Sequence, residues 1–149
     1  MQVKLLENKS AEKVCSEQQV YNSKKASEYK RYYSIFSIAT LVGSVSTVPI
    51  IATDCPKWLC IISAIIVVVS NGINSIFKFH ENWLYCRNLS ELYKVEYNNY
   101  NWGIKDYKNL TVQEKECLFQ NNISDLIAKG NMDWSKLEIA GKEEENKKS

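Results

Sequence analysis

The sequence predicts an all-α membrane protein: an N-terminal amphipathic helix, a two-helix transmembrane hairpin and cytoplasmic C-terminal helices. Three observations carry this. Twenty-two residues from Tyr32 to Thr53 hold no formal charge, and neither do the 20 from Trp58 to Phe77. Only Asp54, Cys55, Pro56 and Lys57 separate the two runs. With 5 Gly and 2 Pro in 149 residues, the chain is poor in the turn punctuation of an all-β fold. Averages conceal the pattern, because a mean hydropathy of -0.33 suits a soluble globule. At this length there is room for one domain and no multidomain enzyme.

The elements follow in chain order. Residues 1–31 form an N-terminal cytoplasmic segment, frayed over 1–9 and helical from about Ser10. Val14, Gln18, Tyr21, Lys25, Tyr29 and Tyr32 recur along one flank at steps of three or four. That helix is expected to run directly into the first span, residues 32–53, whose length of about 33 Å at 1.5 Å per residue exceeds a hydrocarbon core of roughly 30 Å. A largely polar stretch of 31 residues precedes it, so it is no secretory signal. The four-residue connection forces a tight reversal into the second span, residues 58–77, with Pro56 suited to start the helix. This span is rich in β-branched residues, but a lone strand in lipid leaves its backbone unsatisfied, so it too is helical. Seven basic residues precede Tyr32 (Lys4, Lys9, Lys13, Lys24, Lys25, Lys30, Arg31) against Lys57 alone in the reversal, which places both termini in the cytoplasm. Trp58, Tyr32 and Tyr33 stand where aromatics anchor span ends.

Residues 78–139 are expected to be cytoplasmic and helical. The second span continues as a charged helix from Lys78 to about Tyr100, since Gly103 is the first stop. Thr111 and Glu114 make a capping box for another helix, whose apolar stripe is Leu118, Phe119, Ile123, Leu126 and Ile127 and whose expected cap is Gly130. Residues 140–149, GKEEENKKS from Gly141, read as a disordered tail.

Candidates for chemistry are few. Five cysteines without a Cys-x-x-Cys pair, and one His, indicate neither a disulfide scaffold nor a metal site. His80 lacks a convergent nucleophile and reads as an interfacial side chain near headgroups or Glu81. The glycines form no nucleotide-binding loop. From Lys78 onward 11 basic residues interleave with 12 acidic ones, so no stripe for nucleic acid exists. No enzyme activity and no cofactor are expected.

Polar residues inside the spans are more informative, because hydroxyls and amides in lipid need partners. Ser37, Thr40, Ser44 and Thr47 share one face of the first span, overlapped by the small-residue series Ala39, Gly43, Thr47. Ser63, Ser70 and Asn74 share one face of the second, with Asn71 beside it. Two readings stand: the faces pack the hairpin against itself, or in a homo-oligomer they line a water-filled path. Pro49 removes one backbone donor near the outer end of the first span. Arg87 and Glu91 are spaced for an ion pair beside the Trp83 ring.

Here the sequence resembles a known family. Residues 83–100, WLYCRNLSELYKVEYNNY, resemble the pattern Trp-x-x-Tyr-Arg-x-x-x-Glu-x-Leu-Lys-x-Glu-x-x-x-Tyr that follows the second span in SLATT-type two-transmembrane effector domains. Trp83, Arg87, Glu91, Lys94, Glu96 and Tyr100 fall in register, and Trp134 is similar to the tryptophan that closes the domain. Cys86 stands in place of the family's tyrosine and Tyr93 in place of its aliphatic residue. The resemblance covers roughly residues 10 to 139. It implies a membrane effector that oligomerises and opens pores in the inner membrane when a partner senses infection, in anti-phage abortive systems. That partner is commonly a cyclic-nucleotide synthase or a nucleotide-binding sensor protein. A membrane-anchored helical adaptor without conductance is the alternative.

Overall fold

A computed structural model describes the backbone of residues 10–52 and 56–146, and the side chains among them except Val48, Ile51 and those from 133 onward. The expected fraying of 1–9, the reversal at Asp54 and Cys55, the tail residues 147–149 and the Trp134 side chain lie outside the described residues. Within them the protein is all-helical, with no strand: α1 (Ala11–Ala52), α2 (Lys57–Phe77), α3 (Phe79–Trp102), a 3₁₀ turn (Lys105–Tyr107) and α4 (Val112–Asn146). Two compact units divide the chain. One, the terminal unit, takes residues up to Lys24 and from Cys86; the other, the middle unit, is Lys25–Tyr85.

The terminal unit has a conventional apolar core. Val14 and Cys15 of α1, Tyr93 of α3, Tyr107 of the 3₁₀ turn, and Phe119 and Ile123 of α4 are buried together, with Leu89, Tyr100, Leu118, Leu126 and Ile127 packed against them. The Tyr100 ring stacks on Phe119 at 4.4 Å and meets Tyr107 edge-on at 5.7 Å, an arrangement aromatic quadrupoles favour. Helix ends follow local chemistry. Gly103 adopts φ +61°; its N–H donates to the Tyr100 carbonyl and that of Ile104 to the Asn99 carbonyl. Those two bonds are the Schellman pattern, which favours glycine at the left-handed position. At Thr111 the capping box is reciprocal. The Thr111 hydroxyl at 2.7 Å and the Thr111 N–H at 2.8 Å both donate to Glu114 Oε2, which holds the Glu114 carboxyl below its usual range, and the Glu114 N–H donates back to Thr111 Oγ1 at 3.4 Å.

Three expectations need correction. Gly130 is not a cap: α4 passes through it and continues to Asn146, into the segment expected to be a disordered tail. A single mid-helix glycine costs about 1 kcal/mol, too little by itself to end a 35-residue helix. The expected flank of α1 is only partly the buried one. Val14 is buried and Gln18, Lys25 and Tyr29 are half-buried, but Tyr21 and Tyr32 are 59% and 51% exposed, and Cys15, Asn22 and Ala26 are buried instead. Small side chains admit a neighbouring helix that tyrosines hold off, and the phenol keeps its hydroxyl in a polar medium.

The third correction is at Lys78, where the second span was expected to continue unbroken. Lys78 is left-handed (φ 45°, ψ 44°) and separates α2 from α3. That conformation costs a non-glycine residue roughly 1–2 kcal/mol. The break is capped: the Lys78 N–H donates to the Asn74 carbonyl at 3.1 Å, and the Asn82 side-chain amide donates to the Phe77 carbonyl at 2.9 Å.

Candidate functional site

The middle unit inverts the usual distribution of residues. Leu41, Val45, Ile61, Ile65, Val68 and Ile76 are exposed, while Ser63 and Ser70 are buried. Contacts of α1 with α2 and the start of α3 run in opposite directions along the chain, from Gly43 with Ser63 to Thr40 with Asn71 and Phe36 with Phe79. Among the described residues one helical stretch, Lys57–Tyr107, is long and apolar enough to cross a membrane, and only 11% of its most apolar window is buried. α2 forms the apolar part of that stretch.

Gly43 sets the closest approach. A Cβ there would lie 2.8 Å from a Val67 methyl and 3.3 Å from the Ser63 carbonyl oxygen. Because the backbone comes so near, Ser63 Oγ donates to the Gly43 carbonyl at 2.6 Å across the helix pair. Ser46 and Thr47 hydroxyls each stand 3.4 Å from Ser63 Oγ and also reach the Gly43 carbonyl at 3.1 Å. Three hydroxyls thus gather around one carbonyl, with the Val67 methyl packed beside them.

The sequence-selected residues are distributed unevenly over this seam. Thr47 and Ser63 meet, as described. Farther along, Thr40 Oγ1 donates to Asn71 Oδ1 at 3.3 Å, although Asn71 is exposed. Ser44 is exposed and returns its hydroxyl to the Thr40 carbonyl of its own helix at 2.8 Å, so it does not join the seam. Ser37 is half-buried and Ser70 buried. Asn74 Oδ1 is buried without a hydrogen-bond partner among the described residues. An amide oxygen in that condition costs about 1–3 kcal/mol.

At the Lys78 end of the seam aromatic rings replace hydroxyls. Phe79 stacks on Phe36 at 5.8 Å, Tyr32 at 5.6 Å and Phe77 at 5.5 Å, with Tyr29 at 6.5 Å. His80 packs on Tyr33 at 5.0 Å and against the edge of Trp83 at 5.5 Å. Arg87 pairs with Glu91 at 2.8 Å, yet the cation over the Trp83 ring is Lys30, at 5.6 Å. Arg87 and Glu91 lie largely in solvent, where such a pair contributes about 0.3–0.5 kcal/mol.

The remaining signature residues belong to the terminal unit. Glu96 Oε1 accepts from the Tyr107 hydroxyl and, at 2.7 Å, from Asn122 Nδ2, which also reaches the Tyr107 oxygen at 3.1 Å. Burial first, then the bond to Glu96, raises the Tyr107 pKa, against a smaller lowering by Asn122. Burial, with the Glu96 charge second, pushes the Cys15 thiol up to about 11. Cys15 Sγ points to the Tyr93 carbonyl at 3.5 Å, and Tyr93 is a core residue. Lys94 is exposed. Sequence reasoning missed Ser46, Tyr107, Asn122 and the Lys78 break. For the first three no local signal exists, but the break had one: a half-turn slip in the inner face between Ser70 and Phe79.

Among the described residues no group of three His, Cys, Asp or Glu is arranged to hold a metal ion. No curated protein and no solved structure matches the chain. A family model described as a protein of unknown function (DUF4231) matches residues 17–115, which include α2, α3 and most of α1. The chain belongs to the DUF4231 family.

Proposed function

We propose that this protein is a membrane effector that inserts α2 and the second half of α1 as a two-span hairpin, oligomerises, and opens a pore on a signal from a partner. The observation that carries the reading is the inverted middle unit, in which apolar side chains point outward and hydroxyls inward. Water would penalise that surface at about 25 cal/mol per Å² of exposed apolar area, whereas hydrocarbon would not. The basic residues before Tyr32 orient both termini to the cytoplasm, in the inner membrane. The resemblance of residues 83–100 to SLATT-type effectors supplies the class of signal: a sensor protein or cyclic-nucleotide synthase of the same anti-phage system acts on the cytoplasmic helices. No cofactor enters this reading, and lipid and further copies of the chain are its other partners. Ser37, Thr40, Ser44, Thr47, Ser63, Ser70, Asn71 and Asn74 are the residues from which the conducting path is drawn. Asn74 stands out because its buried oxygen lacks a partner within the chain.

A second reading, a tether without conductance, is favoured by a specific observation: Thr47, Ser46 and Ser63 satisfy one another inside a single chain. Conductance separates the two. Induced expression in cells carrying a membrane-potential dye is expected to depolarise them, and Asn74→Leu to abolish the depolarisation while leaving membrane insertion intact. Absence of depolarisation under the activating partner would leave the tether.

A further inference from the structure

The break at Lys78 is more than a joint between two helices, because it changes which side of the chain faces α1. At 3.6 residues per turn, Phe79 stands about half a turn around from Ser70 in an unbroken helix, and Trp83 nearly as far. In such a helix the Ser63, Ser70 and Asn74 face and the Phe79 and Trp83 face point in opposite directions. Yet both are applied to α1: Ser63 on the Gly43 carbonyl, Phe79 on Phe36 and Tyr32, Trp83 under Lys30. The left-handed conformation of Lys78 supplies the missing rotation. No glycine or proline stands there to require a break, so the local preference of Ser75–Glu81 is for continuous helix.

We infer that Lys78 is a rotary switch governing the polar seam, with the closed seam tied to its left-handed conformation and the open seam to a continuous α2–α3 helix. When Lys78 returns to the right-handed region, only one of the two faces stays on α1. The aromatic face holds three α1 rings around Phe79 and a cation over Trp83, whereas the hydroxyl face leaves the buried Asn74 oxygen unpartnered among the described residues, so the hydroxyl face leaves. Ser63, Ser70 and Asn74 then turn outward, where hydrocarbon disfavours them and a second copy of the chain or water receives them. Backbone strain relieved at Lys78 and the orphan oxygen of Asn74 favour opening; the Gly43–Ser63 contact and the capping bonds of Asn82 oppose it. The switch deepens the pore reading, on which its functional meaning rests, but its geometry is measurable without conductance.

The test uses the full chain in lipid vesicles with Thr47→Cys and Ser63→Cys, whose parent hydroxyls lie 3.4 Å apart. Copper phenanthroline oxidises the two thiols to a bridge when the seam is closed, and peptide-resolved mass spectrometry separates that bridge from the native cysteines. Lys78→Ile, a β-branched residue ill suited to the left-handed region, is expected to slow bridging about fivefold, as a bias of 1 kcal/mol implies. Lys78→Gly, free of the clash, is expected to bridge faster than the native residue. Protection of the buried Cys15 from alkylation reports that the terminal unit remains folded. Native-rate bridging in Lys78→Ile with Cys15 protected overturns the switch. Should Lys78→Ile expose Cys15, the Lys78→Gly chain decides, and bridging no faster than native overturns it. Loss of depolarisation with these bridging rates intact would instead count against the pore reading alone.

Discussion

The two units of this chain solve the same packing problem with opposite materials. In the terminal unit Phe119 and Ile123 are 1% and 2% exposed; in the middle unit Ser63 is 6% exposed while Val68 is 70% exposed. Each arrangement buries what its surroundings disfavour. The terminal unit excludes water from apolar side chains. Small residues and hydroxyls bring the middle helices together, the means available where the surrounding medium is as apolar as the side chains. On the proposed reading one chain meets two solvents, and the contrast in exposure is what supports it.

That contrast is easiest to break at its extremes. Phe119→Ala empties the centre of the terminal core and is expected to destabilise it by about 3–5 kcal/mol, measured by denaturant unfolding in detergent. Val68→Ala, at an exposed position of the middle unit, is expected to leave the same transition within about 0.5 kcal/mol. Equal losses from the two would erase the distinction. Gly43→Val comes next. Its Cβ alone would meet a Val67 methyl at 2.8 Å, so overpacking of about 1–3 kcal/mol is expected, read as a lower melting temperature with Cys15 still protected.

Smaller effects sharpen the terminal unit. Thr111→Ala removes the capping hydroxyl of α4 and is expected to cost about 1 kcal/mol. An alkaline titration should also distinguish native from Cys15→Ala chains. The Cys15 thiol is raised from 9.0 to about 11 in the folded state. The unfolded chain therefore releases this proton first, and the stability tied to the group is complete below pH 9 and lost between pH 9 and 11. Thermal unfolding at pH 8 and 10.5 should show a steeper loss in the native chain than in Cys15→Ala; parallel losses would dismiss the thiol.

Much of the terminal unit was legible in local sequence. Thr111 and Glu114 are three residues apart, Gly103 occupies the left-handed stop, and Leu118 to Ile127 keep helical spacing, so each signal sits within one or two turns. The node of Glu96, Tyr107 and Asn122 was not legible, because its members are as much as 26 residues apart and meet only through tertiary folding. Nor was the α1 face, which is chosen by the helices that pack on it. Gly130 misled for a different reason: a single glycine costs a helix only about 1 kcal/mol and does not by itself end one. Lys78 is the instructive case. Composition offers no breaker there, yet the inner face slips by half a turn between Ser70 and Phe79, and a continuous helix cannot serve both.

Flotation of the full chain with lipid vesicles after an alkaline carbonate wash tests most directly whether lipid surrounds the inverted unit. The chain is expected to rise with the vesicles and to resist extraction. Recovery as a detergent-free, dispersed monomer in the aqueous fraction would contradict the account.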